Sequence, residues 1–379
     1  MEKIKSMFEM EYENYLNNLE KMVNIDCPTD YKIGVDKVRE YIIAELNKFI
    51  TPKYKMEVFK EKNVGDHLLV TRNGEIQGKI LILAHMDTVF PVGTVKERAF
   101  KIEGNKAYGP GVSDMKHGIS SILTSLKIID ALNLKMKTIQ ILFNSDEETG
   151  SETSRKYIEK YASSSDTVII MESGGEKGEL ITARKGIGRY VIKVYGKSSH
   201  AGAAFEEGKN AVVELSNKIL EISKLTDLNK GITVNVGLIK GGTATNIVPD
   251  YAEASVDVRC FTKKDMFIID KEINKISKKV TEGFSCEVCG GINRPPLEET
   301  KENIELFNIY KNISEGIGEK CEKSYSGGGT DGNFTSGIGI PTIDGLAPIG
   351  GKAHTDQEYL ELDSIITKNI IFIKFLLSI

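Results

Sequence analysis

Short apolar runs bounded by polar turns set the rhythm of the first 180 positions. YKMEVFK, HLLVTRN, KILILAHMD, TIQILFN, TVIIMES and GELITARK predict strands, and Met115 to Leu132 and Ser151 to Tyr161 predict helices between them. Such alternation indicates an α/β sheet with helices on its faces. From Gly186 the rhythm changes. GIGRYVIKVYG alternates with period two, and GKNAVVELSNKILEISKL has helical spacing. The strands ITVNVGLIKGG and YAEASVDVRCF follow, then the helix KKDMFIIDKEINKISKKV and the strand FSCEVCGG. This β-α-β-β-α-β order is the split βαβ, ferredoxin-like sandwich. After Arg294-Pro295-Pro296 the first rhythm resumes. The expected layout is therefore one α/β domain built from residues 1–185 and 295–379, with an α+β domain, 186–294, inserted into it.

Composition narrows the class. With 379 residues the chain exceeds one ordinary core, and 40% apolar with 27% charged residues describes a globular protein. A formal charge of −4 lacks the basic excess of a nucleic-acid binder. The first 23 residues mix acids with apolar positions and do not read as a signal peptide. The apolar end, IITKNIIFIKFLLSI, spans 15 residues and contains two lysines, too short for the ~20 that cross a bilayer. It predicts a final helix packed on the core, with no membrane partner. Of five cysteines, Cys286 and Cys289 form one C-x-x-C without a second pair, so reduced cysteines in a cytoplasmic protein are expected.

Acids and imidazoles gather at the ends of the predicted strands. His85 and Asp87 follow KILILA, at i and i+2, where side chains point to one side. Asp114 sits in the glycine-rich turn YGPGVSDMKHG. Asp146, Glu147 and Glu148 close ILFNSDEETGS, Glu172 closes VIIMESGG, and His354 lies in GGKAHTDQEYL. Singly, each has a plain explanation: a helix N-cap, first-turn acids, a solvated loop histidine. Gathered at the carboxyl ends of α/β strands, where ligands bind, the like charges repel unless cations sit among them. Imidazole and carboxylate ligands suit zinc, and other first-row metals less selectively. Five ligands exceed the need of one catalytic zinc and suit two metals about 3.5–4 Å apart.

The set HMDTVFP, GPGVSDMK, DEETGS, MESG and GGKAHTD resembles the two-zinc peptidase and amidohydrolase family of glutamate carboxypeptidase, tripeptidase, succinyl-diaminopimelate desuccinylase and aminoacylase. The resemblance runs over nearly the whole chain. It implies a mixed-sheet, zinc-exopeptidase-like catalytic domain with a ferredoxin-like lid and dimerisation domain. His85, Asp114 and Glu172 would hold one divalent ion, and Asp114, Glu148 and His354 the other, zinc first and cobalt or manganese as alternatives. Glu147 would be the general base acting on a metal-bridging hydroxide, with Asp87 fixing the tautomer of His85.

The resemblance extends to the inserted domain. His200, in YGKSSHAG, would stabilise the oxyanion, from the same chain or from a dimer partner. Asn246, Arg259 and Arg294, with the backbone amide near Gly329 in SYSGGGTDGNF, would grip the substrate carboxylate. His67 reads as structural. His117 stands where the family usually has a small residue, either crowding the turn after Asp114 or lining the cleft. The implied activity is hydrolysis of an amide bond next to a free carboxylate, in small peptides, glutamate conjugates or N-acyl amino acids, by a homodimer.

Overall fold

The computed structural model describes residues 2–379. Its largest sheet has eight strands in the order Tyr54–Phe59, His67–Arg72, Lys137–Asn144, Ile76–His85, Thr167–Ile170, Thr342–Asp344, Leu180–Arg184 and Lys323–Ser326. The two outermost pairings on the Tyr54 side are antiparallel, and the four middle strands from Lys137–Asn144 to Thr342–Asp344 run parallel. It is a mixed α/β sheet, as the sequence pattern implies.

The central strand explains its own apolar run. Ile80, Ile82 and Ala84 enter one core cluster, while Leu81 and Leu83 enter another on the opposite face. A strand covered on both sides needs apolar residues at every position. One face is covered by helices Glu2–Val23, Lys32–Leu46, His117–Ala131, Lys301–Glu315 and Ser364–Leu376. Ile158 and Ala162, from Arg155–Ala162, and Phe334, from Gly332–Gly337, cover the other. The apolar C-terminal run is thus a core helix, with Ile365, Ile371, Phe372, Ile373, Phe375 and Leu376 buried. No helix among the described residues is long and apolar enough to cross a membrane.

Two boundaries differ from the sequence expectation. The helix expected from Ser151 begins at Arg155. Ser151 has φ +59°, and the Asp146 carboxylate captures the N–H groups of Thr153 (2.7 Å) and Ser154 (3.3 Å), holding 151–154 as a loop. The helix expected from Met115 starts at His117, after the turn Val112–Lys116. A small antiparallel sheet, Gly350–Gly351, Tyr359–Glu361, Lys106–Tyr108 and Lys101–Glu103, is absent from the sequence reading. Strands of two or three residues give no period to detect.

Contacts divide the chain into two units. One comprises residues up to Thr182 together with Glu299–Tyr325 and Thr330–Ile379; the other comprises Ala183–Glu298 and Ser326–Gly329. In the second, strands Thr233–Gly241, Tyr251–Cys260, Gly186–Tyr195 and Ser285–Arg294 lie side by side in that order, all antiparallel. Helices Ala211–Ser223 and Lys263–Lys278 pack on them through Leu215, Ile222, Met266, Ile269 and Ile273. Each helix starts at a side-chain cap: Asn210 accepts from Val213 N–H, and Thr262 from Asp265 N–H.

Candidate metal centre and substrate-binding groups

The parallel strands deliver the candidate ligands to one edge of the sheet. His85 ends Ile76–His85 and pairs in register with Asn144, so the turn carrying Glu147 and Glu148 leaves the neighbouring strand at the same level. Leu83 pairs with Ile170, which sets Glu172 on the other side. Asp114 lies between the two histidines. Its Oδ1 is 3.0 Å from His85 Nε2 and its Oδ2 is 3.0 Å from His354 Nε2. Each imidazole has a further glutamate: Glu172 Oε1 lies 3.2 Å from His85 Nε2, and Glu148 Oε2 lies 3.2 Å from His354 Nε2. The ligand atoms of His85, Asp114 and Glu148 all fall within 4.8 Å of one another. The five residues thus form two His-carboxylate sets that share one aspartate.

Their supports include residues that sequence reasoning missed. His85 Nδ1 lies 3.0 Å from the backbone carbonyl of Asp87 and 3.4 Å from its Oδ1, so the expected carboxylate faces the ring nitrogen with the carbonyl nearer still. The Asp87 carboxylate also accepts from Thr29 Oγ1 at 2.6 Å and from the N–H groups of Glu147 (3.3 Å) and Glu148 (3.2 Å). It fixes the turn that carries the adjacent glutamates. Glu358 has no exposed surface and accepts from the N–H groups of Gly111, Ser113 and Asp114. Asp331 accepts from Asn144 Nδ2 at 2.7 Å and from Ser151 Oγ, bracing the same turn from below. None of these has a local sequence signal; each meets its partner from more than fifty residues away. His354 sits at φ +63° and Lys352 at φ +56°, left-handed backbone that side chains rarely adopt.

The two remaining histidines of this unit are structural. His67 is fully buried, with Nδ1 3.0 Å from Ser145 Oγ and Nε2 3.0 Å from Thr153 Oγ1. His117 is also fully buried and lines no open cleft. Its Nε2 lies 3.0 Å from Ser173 Oγ and 3.2 Å from the Pro348 carbonyl, and burial pushes its pKa down to about 4.

In the second unit, His200 is exposed at the end of a two-residue strand paired with Ile247–Val248. Its Nδ1 accepts from the N–H groups of Gly202 and Ala203, both at 3.1 Å, which leaves the proton on Nε2. Asn246 is its neighbour, its carbonyl accepting from Ala201 N–H at 3.0 Å. Arg259 is held by Asp257 through Nε–Oδ1 at 2.8 Å and Nη2–Oδ2 at 3.1 Å, and its Nη1 lies 3.5 Å from the Gly327 carbonyl. Arg184, unremarked in the sequence, donates to Ser326 Oγ (3.2 Å) and the Gly328 carbonyl (3.4 Å), so two arginines hold the loop that carries half-buried Gly329. Arg294 is buried at the end of its strand, opposite Ile187.

The sequence profile described as Peptidase family M20/M25/M40 matches residues 81–378. Carboxypeptidase G2 of Pseudomonas sp. is 33% identical over 367 residues, covering 92% of this chain and 85% of that protein. The chain belongs to peptidase family M20/M25/M40. Acetylornithine deacetylase of Salmonella arizonae is 28% identical over 312 residues, covering 77% of this chain and 78% of that protein. Among solved structures, the YXEP protein of Bacillus subtilis, a dinuclear metal-binding peptidase of family M20, has the same fold. It matches with a TM-score of 0.73 at 15% identity, covering 98% of each chain. The chain is thus an M20 family hydrolase of the metallopeptidase and amidohydrolase group.

The donor set fits the metals such a hydrolase requires. Burial, with the Asp114 charge added, pushes Glu172 up to about 8. Burial likewise lifts Glu148 to about 7, against a hydrogen bond to His354. Hydrogen bonds to Asp114 and Glu148 raise His354 to about 11. For His85, burial acts downward, but the Glu172 charge and its carboxylate hydrogen bonds carry it well above the ordinary value. The raised carboxylates and imidazoles both reflect acids and bases crowded together out of water. Glu148 Oε1 is buried and has no hydrogen-bond partner, while its Oε2 faces His354. Divalent ions held by His85, Asp114, Glu148, Glu172 and His354 would supply the positive charge this carboxylate-rich cluster calls for.

Proposed function

We propose that this chain is a two-metal exopeptidase that cleaves the amide bond next to a free carboxylate in short peptides or glutamate conjugates. The observation that carries the reading is the division of Asp114, one oxygen toward His85 and the other toward His354, each imidazole with its own glutamate. His85, Asp114 and Glu172 hold one divalent ion; Asp114, Glu148 and His354 hold the second. Imidazole and carboxylate donors favour zinc, with cobalt or manganese able to substitute. When bound, the ions supply the positive charge that acidifies water and polarises the scissile carbonyl.

The chain's own groups do the rest. Glu147 takes the proton of the attacking water on its carboxylate and returns it to the leaving amine. Asp87, through the N–H groups of Glu147 and Glu148, sets the direction of that carboxylate. His200 donates from Nε2 to the developing oxyanion, a role its tautomer supports. Arg294, Arg259, Asn246 and the amide near Gly329 bind the substrate carboxylate, the planar fork of arginine matching its two oxygens. Residues 1–185 and 295–379 form the catalytic domain, and 186–294 the lid. The lid also joins two copies into a dimer, a reading supported by the sheet-edge strand Thr233–Gly241, which leaves Leu238 63% and Ile239 56% exposed. Five cysteines, none in a disulfide, suit a cytoplasmic setting.

A second reading is an N-acyl amino acid deacylase with the same machinery and a different acyl pocket, favoured by the deacetylase relative. Parallel assays of metal-reconstituted protein on a dipeptide series and an N-acyl amino acid series decide between them. Turnover confined to acyl substrates overturns the peptidase reading, and turnover of neither overturns both.

A further inference from the structure

Glu358 is buried completely, yet it lies in a loop, four residues beyond His354. Its Oε1 accepts from Ser113 N–H at 2.7 Å and Asp114 N–H at 2.9 Å, and its Oε2 accepts from Gly111 N–H at 3.0 Å. Burying a carboxylate is costly unless such bonds compensate, so the arrangement needs a reason. The reason is visible in what the three bonds join. Gly111 to Asp114 is the turn that presents one candidate ligand, and Gly351 to Tyr359 is the loop that presents another, His354.

The two segments are already neighbours by backbone. Tyr108, at the head of the turn, pairs with Tyr359, immediately after Glu358. Gly350 packs so closely on the turn that a Cβ there would come within 2.1 Å of Ser113 Oγ. Strand pairing fixes the bases of both segments but not their tips. Glu358 ties the tip of the turn, at the Asp114 amide itself, to the loop that carries His354.

We propose that Glu358 is a positioning residue that sets the spacing between Asp114 and His354, and through it the affinity for the cation held by Asp114, Glu148 and His354. This rests on the two-cation reading above. The His85 and Glu172 side shares Asp114 but not the loop, so it depends on Glu358 less.

The test is calorimetric titration of apoprotein with Co2+, which needs no substrate. Glu358→Gln keeps the side-chain shape and turns one acceptor oxygen into an NH2 facing an amide N–H. Outer-shell changes typically weaken metal binding about 10–100-fold. That loss is expected for one of the two ions, with the other changing by less than about threefold. In a Glu172→Ala background, which retains the His354 side, E358Q gives the full loss; in a His354→Ala background it gives little. Glu358→Asp, which keeps the charge but withdraws it by one methylene, gives the same pattern and replaces E358Q if that variant does not fold. Wild-type protein that binds two ions, with folded variants binding both as tightly, overturns this inference alone. Wild-type protein that binds no Co2+ overturns the two-cation reading and this inference with it. If neither variant yields folded apoprotein, the carboxylate serves folding rather than ligand spacing, and the inference is also overturned.

Discussion

The sheet edge of the first unit and the candidate substrate groups His200 and Asn246 of the second place polar side chains in opposite circumstances. At the sheet edge His85 is 2% exposed, and Asp87 and Glu358 are wholly enclosed. Each is bonded to segments distant in sequence. In the second unit His200 and Asn246 are exposed; His200 is held by the N–H groups of its own loop, and the Asn246 carbonyl by Ala201 N–H. The difference follows from what each set must do. Groups that gather like charges within a few ångströms must be held against mutual repulsion. His200 and Asn246 carry no such crowding and can stand open to solvent, whereas Arg294 in the same unit is buried. Substitutions at the sheet edge should therefore disturb metal binding, proton transfer or stability, and those at His200 and Asn246 turnover alone.

The largest effect is expected for Glu147→Gln. General-base removal costs roughly 10²–10⁴-fold, and with the proton's sole acceptor gone the upper end is expected, seen as lost kcat with both metals retained by elemental analysis. His200→Ala should lower kcat by about 10²–10³-fold, the size of one oxyanion donor. Its metal content and melting temperature should stay at wild-type values. A fall in either would show the second unit to be as interlocked as the first.

Asp66→Asn tests stability away from the chemistry. This buried carboxylate is bonded to Lys32, Lys60 and Arg39, and the cations hold it well below the usual range against its burial. Breaking such a group should cost about 3 kcal/mol in denaturant unfolding. Because its folded pKa is depressed, its contribution is present above about pH 4 and is lost as pH falls below that.

An effect absent at neutral pH and confined to acid concerns His117. Its folded pKa of about 4 lies below the unfolded value near 6.5, so the unfolded chain binds the extra proton. Apoprotein stability should be unaffected above pH 6.5 and decline by up to roughly 3 kcal/mol on acidification to pH 4. His117→Asn should flatten that slope relative to wild type; an unchanged slope would mean that His117 is not kept neutral.

What was legible in the sequence was what repeats or clusters locally. KILILA shows a strand buried on both faces, and the split βαβ order of the second unit follows from its alternation. The motif-borne candidate ligands His85, Asp114, Glu148, Glu172 and His354 lie close to one another. Glu358, Thr29, Asp331 and Arg184 stayed hidden because each acts on a segment far along the chain, and its own neighbours give no periodicity. Asp87 lies beside His85 as their spacing implies, with its carbonyl at 3.0 Å and its carboxylate at 3.4 Å from Nδ1. Spacing of i and i+2 places two residues on one side without deciding whether the backbone oxygen or the side-chain oxygen comes nearer.

His354 occupies left-handed backbone that a glycine would adopt without penalty. Holding an imidazole there costs on the order of 1 kcal/mol or more. A descendant freed from the demand for metal would therefore gain from exchanging this histidine for glycine or asparagine. Position 354 is where such a lineage should first record the loss, well before the sheet beneath it begins to erode.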